Sequence, residues 1–197
     1  KLHIVAKYNN GKEVTGESLI DENFNENSRI DDIRLEPKGN VNSKAISAIK
    51  ESDYIIIGPG DLYTSIIPVL LVKNIRQTII NSKAKIIYIM NLMTKSGQTT
   101  NYKASDHIND LKKYLGRSPD YILFNNSKIS SEILNWYKKY NEVEVIDDLD
   151  KNNKVILEDL IDNNKIEKNR SDSLYRSILR HDSKKLAILL NSIFNYV

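Results

Sequence analysis

The opening residues Leu2-His3-Ile4-Val5-Ala6-Lys7-Tyr8 alternate between apolar and polar positions, the period-two pattern of a strand with one buried face. Asn9-Asn10-Gly11-Lys12 follows as a turn, and residues 13–20 are expected to return as the second strand of an antiparallel hairpin. Residues 21–28 are polar and read as a loop. Ile30, Ile33 and Leu35 then predict a further strand ended by Pro37, whose ring lacks the N–H a ladder needs. Residues 1–40 are therefore expected to form an antiparallel β segment.

From Ser43 the period changes. Ala45, Ile46 and Ile49 lie at helical spacing and lead into the unbroken apolar run Tyr54-Ile55-Ile56-Ile57, which predicts a strand buried on both faces. The alternation repeats with a helix over 66–80, a strand over 85–90, a helix over 104–115, a strand over 121–124 and a helix over 131–140. Residues 143–146 and 155–157 read as short strands and 162–172 as a polar loop. The chain closes on an amphipathic helix in which Leu186, Leu189, Leu190 and Ile193 form one stripe, with Asp182 or Ser183 as its N-cap. Successive βα units predict an α/β fold: a mainly parallel sheet flanked by helices, one domain over residues 1–197 with the hairpin at its start.

Composition narrows the class. Forty per cent hydrophobic and 28% charged residues in a 197-residue chain are ordinary for a globular domain, and no apolar run approaches the roughly 20 residues of a membrane span. Net charge is +3, from 29 basic and 26 acidic side chains mixed along the sequence, too weak a field to point to nucleic acid. The absence of cysteine excludes disulfides and thiolate chemistry and fits a reducing compartment, so a cytoplasmic protein without membrane insertion is expected. Association into a homo-oligomer is compatible with the sequence.

The densest local chemistry is Gly58-Pro59-Gly60-Asp61-Leu62-Tyr63-Thr64-Ser65, directly after the strand at 54–57. Ligands of open parallel sheets bind outside the carboxyl ends of the strands. Two glycines permit close approach of the backbone, and Thr64 and Ser65 add hydroxyls at an expected helix start, so the segment can cradle a phosphate. A tight βα turn with no ligand is the alternative. Neither the dinucleotide nor the P-loop spacing is present. A second polar loop follows the next strand, where Asn91, Thr94 and Thr99 are placed to converge with the first; Lys95 is placed to meet a phosphate there, although a lone loop lysine is more often just solvated. Asn125-Asn126-Ser127 is a third. Asp106-His107 and His181-Asp182 open helices, where capping and dipole roles outweigh catalysis because adjacent helical residues do not face each other. Three histidines without cysteine or His-x-x-x-His spacing do not make a zinc site. Magnesium shared between Asp61 and ligand phosphates would need few protein ligands. Trp136, Tyr137 and Tyr140 are expected to pack rather than to stack on a base.

These residues carry a resemblance. The run from Ser52-Asp53 through Gly58-Pro59-Gly60 and Leu62-Tyr63-Thr64-Ser65 to Pro68, the segment 88–94 with Gly97 and Thr99, Ala104-Ser105-Asp106-His107, and Arg180-His181-Asp182 resemble the YvcK/CofD-like, or gluconeogenesis factor, family in order along nearly the whole chain. The resemblance implies a Rossmann-like fold and a nucleotide-diphosphate ligand. In one branch that ligand is a UDP-sugar, linked to gluconeogenic growth, cell-wall precursor supply and cell shape. In the other it serves a magnesium-dependent transfer of 2-phospho-L-lactate. The signatures look closer to the first branch. The implied ligand residues are Gly58, Pro59, Gly60, Tyr63, Thr64, Ser65, Asn91, Thr94 and Arg180, with Ser183 as an implied phosphoacceptor. Three departures stand out: the family's opening strand and Gly-rich loop are missing from this sequence, Asp61 stands where a small residue is usual, and Gln98 replaces a glutamate.

Overall fold

A computed structural model describes residues 2–22, 28–150, 152, 154–162 and 178–195. Its first layer is a three-stranded antiparallel sheet in the order β2-β1-β3, with β1 (His3–Tyr8), β2 (Glu13–Thr15) and β3 (Ile30–Glu36). Val5 lies opposite both Thr15 and Arg34. The returning strand is shorter than the sequence predicts. Gly16 sits at φ +105°, a conformation that takes the chain off the ladder, and the following residues wind into the short helix α1 (Glu17–Asp21), which buries Ile20.

The second layer is a parallel sheet of β4 (Tyr54–Ile57), β5 (Lys85–Ile89), β6 (Tyr121–Asn125) and β7 (Val155–Glu158), ordered as in the sequence. Helix α2 (Ser43–Glu51) leads into it, its first turn capped by Asn42, whose side chain accepts the Lys44 N–H at 2.9 Å. The helix expected over 66–80 is split. A π-helical turn at Leu62–Ile66 runs into α3 (Ile67–Leu70), and after a four-residue break comes α4 (Ile75–Asn81). In the break Lys73 donates its N–H to the Gly39 carbonyl at 3.1 Å, and Asn74 takes φ +72°, which asparagine tolerates. Leu71 and Val72 keep the apolar pattern unbroken there, so periodicity does not register the interruption.

Helix α5 (Ala104–Leu115) starts with the Asp106 carboxylate accepting the Lys103 N–H at 2.9 Å and stops at Gly116, φ +86°. A Cβ on Gly116 would lie 2.5 Å from Ile80 Cδ1, so that helix end packs on α4 only as glycine. Helices α6 (Ser131–Lys138) and α7 (Ser183–Asn195) complete the set. Asp182 caps α7 by accepting the N–H groups of Lys184 and Lys185 at 2.8 and 3.1 Å, and Ser183 is the first helical residue.

Strand β5 organises the core. Ile86 and Tyr88 point to the face covered by α3, α4, α5 and the antiparallel sheet, while Ile87 and Ile89 point to the face covered by Leu186 and Ile193 of α7. All four are buried, each contributing about 1.5–3 kcal/mol if fully removed from water. Strand β4 departs from expectation. It pairs with β5 alone among the described residues, and Ile56 is 43% exposed because nothing described covers it on the α7 side. Residues 143–146 are not a strand either. They cross the chain leaving β5 through the isolated bridges Met93 to Glu144 and Lys103 to Ile146, with Val145 N–H donating to the Leu92 carbonyl at 3.1 Å. Tyr137 is buried and its hydroxyl accepts the Leu179 N–H at 3.1 Å, with Trp136 edge-on to its ring, so this aromatic group packs. The loop expected over 162–172 lies, beyond Asp162, outside the described residues.

Candidate functional site

Strands β4 and β5 are adjacent and parallel, so the loops that leave them emerge side by side at one end of the sheet. In the first loop Gly58 has φ +87°, and a Cβ there would lie 3.0 Å from the Ile89 carbonyl oxygen. Glycine is required at that point because the turn grazes the end of β5. The Gly58–Pro59 peptide is cis. Gly60 is sterically freer, its notional Cβ meeting Ser65 Cβ at 3.4 Å. Asp61 opens the π-helical turn, its carbonyl accepting the N–H groups of Ser65 and Ile66 at 3.0 and 3.1 Å.

The two loops are joined by Asn91, whose Nδ2 donates to the Gly60 carbonyl at 2.9 Å. The Tyr88 hydroxyl reaches the Asn91 Oδ1 at 3.4 Å, orienting the amide from beneath. Gly58, Pro59, Gly60 and Asn91 therefore come together. Pro59 and Ser65 face solvent, and Thr64 is buried.

Other expected residues lie elsewhere. Tyr63 is buried, and its hydroxyl points to α5, donating to Asp110 and lying 3.3 Å from the Tyr102 hydroxyl, which donates to Asp110 at 2.7 Å. Burial, with the Tyr102 and Asp110 groups beside it, drives the Tyr63 phenol far up. Thr94 is committed to the backbone: it exchanges hydrogen bonds with Val143, N–H to carbonyl at 2.7 Å and Oγ1 accepting at 3.0 Å. Thr99 Oγ1 accepts the Lys95 N–H at 2.9 Å. Arg180 is exposed, one residue before His181, whose Nε2 contacts the Met90 carbonyl at 3.1 Å, so its backbone lies near the carboxyl end of β5. Ser183 is exposed at the start of α7. Asn125 holds its own loop, donating to the Ser127 carbonyl at 2.8 Å and accepting the Leu160 N–H at 3.0 Å.

Lys95 is not simply solvated. Its Nζ lies 3.5 Å from Glu142 Oε1, and Glu142 is only 7% exposed. Burial pushes both Glu142 and Asp61 above the usual carboxylate range, offset in part by the Lys95 charge that both feel. Asp21, at the end of α1, adds a further negative charge toward Asp61 and accepts the Gln98 Nε2 donor at 2.7 Å. Sequence reasoning did not single out Glu142 or Asp21. They lie 47 residues after Lys95 and 40 before Asp61, and no local motif links such positions. Among the described residues no group of three or more His, Cys, Asp or Glu side chains is placed to hold a metal ion. The chemistry of the loop residues fits a magnesium ion only if ligand phosphates supply most of its coordination.

His107 is buried with neither ring nitrogen bonded, and its ring stands edge-on to Tyr102 at 5.5 Å. Burial holds its pKa down at about 4, so it is neutral at physiological pH. A cleft of about 390 Å³ opens nearby, between the start of β3 and α5, with Arg29, Tyr102, Asp110 and Lys113 in its wall. Its wall takes in Tyr102 from the chain between β5 and α5, but not Gly58, Pro59, Gly60 or Asn91.

Comparison with known proteins matches this chain over residues 1–163 to the family described as 2-phospho-L-lactate transferase CofD. The gluconeogenesis factor of Bacillus subtilis is 37% identical over 187 residues, which is 94% of this chain and 56% of the relative. A protein named as a candidate gluconeogenesis factor in Thermotoga maritima is 39% identical over 191 residues, 96% of this chain and 58% of that protein. A crystal structure of a UPF0052-family protein from Bacillus halodurans superposes with a TM-score of 0.80 at 30% identity, covering 96% of this chain and 58% of that one. The chain thus spans somewhat more than half the length of the relatives it matches. With the family matched from the first strand through β7, the chain belongs to the CofD family, and it is similar over nearly all of its sequence to the gluconeogenesis factors.

Proposed function

We propose that this chain supplies the phosphate-facing part of a nucleotide-sugar site in a regulatory protein of carbon metabolism, cell-wall precursor supply and cell shape. The observation that carries the reading is the Asn91 to Gly60 hydrogen bond at 2.9 Å, which holds two glycine-containing polar loops together at the carboxyl ends of neighbouring parallel strands. The backbone N–H groups of Gly58 and Gly60 and the exposed Ser65 hydroxyl are proposed to meet a diphosphate, with the exposed Arg180 as a planar, permanently charged donor suited to phosphate or a uracil carbonyl. UDP-sugar is the proposed ligand, in keeping with the gluconeogenesis factors to which the chain is similar. The protein is proposed to act in the cytosol, and no helix among the described residues is long and apolar enough to cross a membrane. Ser183, exposed on the first turn of α7 and three residues from Arg180, is proposed as a phosphoacceptor whose added charge would oppose an anionic ligand.

The second reading is a phosphoanhydride transferase, favoured by the family description itself. Such chemistry relies on a divalent ion and an in-line acceptor. The two readings part on turnover. The test is amide NMR of the protein titrated with UDP-N-acetylglucosamine: saturable shifts at Gly58, Gly60 and the Asn91 side chain support the site, and no shift at those groups removes it. Magnesium-dependent loss of ligand signals would move the protein to the transferase class.

A further inference from the structure

The charged groups beside the two loops do not balance. Lys95 from the loop after β5 lies 3.5 Å from Glu142 in the turn after α6, while Asp61 from the loop after β4 feels the charges of Lys95 and of Asp21 from α1. Lys95 thus serves two carboxylates, Asp61 and Glu142, both largely withdrawn from solvent, and Asp21 adds a further negative charge toward Asp61. Lys95 is only loosely held. Its 3.5 Å approach to Glu142 is long for a charge-assisted bond, against 2.7 Å for the exposed pair of Lys185 with Asp159, and its side chain retains 26% exposure. Two further polar atoms in the same loop, Ser96 Oγ and Gln98 Oε1, are buried without a hydrogen-bond partner. Leaving such groups unmade costs on the order of 1–3 kcal/mol each, which a fold optimised for stability alone would avoid.

We infer that the Lys95–Glu142 pair is a latch for the anionic ligand: Lys95 leaves Glu142 to meet a ligand phosphate, and the Asp61–Glu142 carboxyl pair takes up a proton in exchange. The inference rests on the reading of the loops as a diphosphate site. Its electrostatics follow from the arrangement. A phosphate arriving beside Asp61 brings negative charge to a place that already holds it, and its attraction for Lys95 draws away the cation beside Glu142, leaving the Ser96 backbone hydrogen bond to favour the carboxylate. An uncompensated buried carboxylate is costly, whereas a neutral carboxyl needs only a hydrogen-bond acceptor. The proton comes from solvent and forms one O–H bond on the pair, whose Glu142 member feels the Asp61 charge. Lysine suits the exchange, since its compact charge rides on a flexible stem. Glu142 is thus a positioning residue and Lys95 a ligand-contacting one.

The linkage has a fixed sign. Ligand raises the affinity of the pair for a proton, so binding weakens as pH rises through the interval between the free and the liganded titration, and is independent of pH outside it. The experiment is calorimetric titration of the whole protein with UDP-N-acetylglucosamine in two buffers of different ionisation enthalpy, repeated from about pH 6 to about pH 8. Uptake of about one proton per ligand is expected, with affinity falling up to about tenfold per pH unit within the interval. In Glu142→Gln the uptake shrinks and binding becomes tighter at high pH. Asp61→Asn serves as the second variant if the first does not fold. Ligand binding with a buffer-independent heat overturns the latch and leaves the diphosphate site standing. Absence of binding by the unmodified protein overturns both.

Discussion

The side-chain amide of Asn91 donates to the Gly60 carbonyl at 2.9 Å, and this one bond ties the end of β5 to the turn that leaves β4. Asn91→Ala removes it and leaves the Gly60 carbonyl to water. A loss of about 1 kcal/mol in stability is expected from urea unfolding, together with a larger proportional loss of UDP-sugar affinity. Equal losses in both would make Asn91 a structural residue only.

Gly58 turns the chain at φ +87° against the Ile89 carbonyl. Gly58→Ala brings a Cβ to 3.0 Å from that oxygen in a left-handed conformation, and is expected to cost about 1–3 kcal/mol by chemical denaturation. Gly60→Ala, whose Cβ has room, is expected to cost less than half as much. Reversal of that order would contradict the described turn.

His107 makes stability depend on pH in a defined window. Its folded pKa, about 4, lies below the ordinary 6.5 because burial disfavours the cation. The contribution is therefore complete above pH 6.5 and is lost as pH falls toward 4, by up to about 3 kcal/mol. His107→Phe, which keeps the edge-on contact with Tyr102, should flatten that part of the stability profile. An unchanged slope would show that other groups carry it.

Tyr114 pins helix α5 to the antiparallel sheet: its hydroxyl accepts the Ile33 N–H at 3.2 Å and donates to Asp32 at 2.9 Å. Tyr114→Phe leaves the buried Ile33 amide without that acceptor, and a loss of about 1–3 kcal/mol is expected, with faster hydrogen exchange at Ile33. Unaltered exchange there would count against the seam.

Much of this architecture is legible in the chain because periodicity reports burial. Strand β5 reads as an unbroken apolar run since Ile86 to Ile89 are enclosed from both faces, and α5 is bracketed by Asp106 and Gly116, whose capping roles depend on local sequence. The same logic misreads β4. Tyr54 to Ile57 have the composition of an enclosed strand, yet the described sheet ends there and Ile56 is left open. It also passes over the break at 71–74, which is fixed by a distant contact with Gly39. Gly58 and Asn91 were readable as candidates because each follows a predicted strand. The burial of Glu142 beside Lys95 was not, because it is created when the turn after α6 folds over a loop nearly fifty residues upstream. Tyr63 and Thr94 show the reverse. Their residue types fit a ligand pocket, but their polar atoms are engaged by Asp110 and Val143.

Calorimetric titration with UDP-N-acetylglucosamine and with GDP, each with and without magnesium and using the chain joined to any native flanking sequence, tests for a nucleotide-sugar site at the loops leaving β4 and β5. Saturable binding of the UDP-sugar is expected, weakened in Arg180→Ala and accompanied by no breakdown of the ligand. Absence of binding by either nucleotide would contradict it.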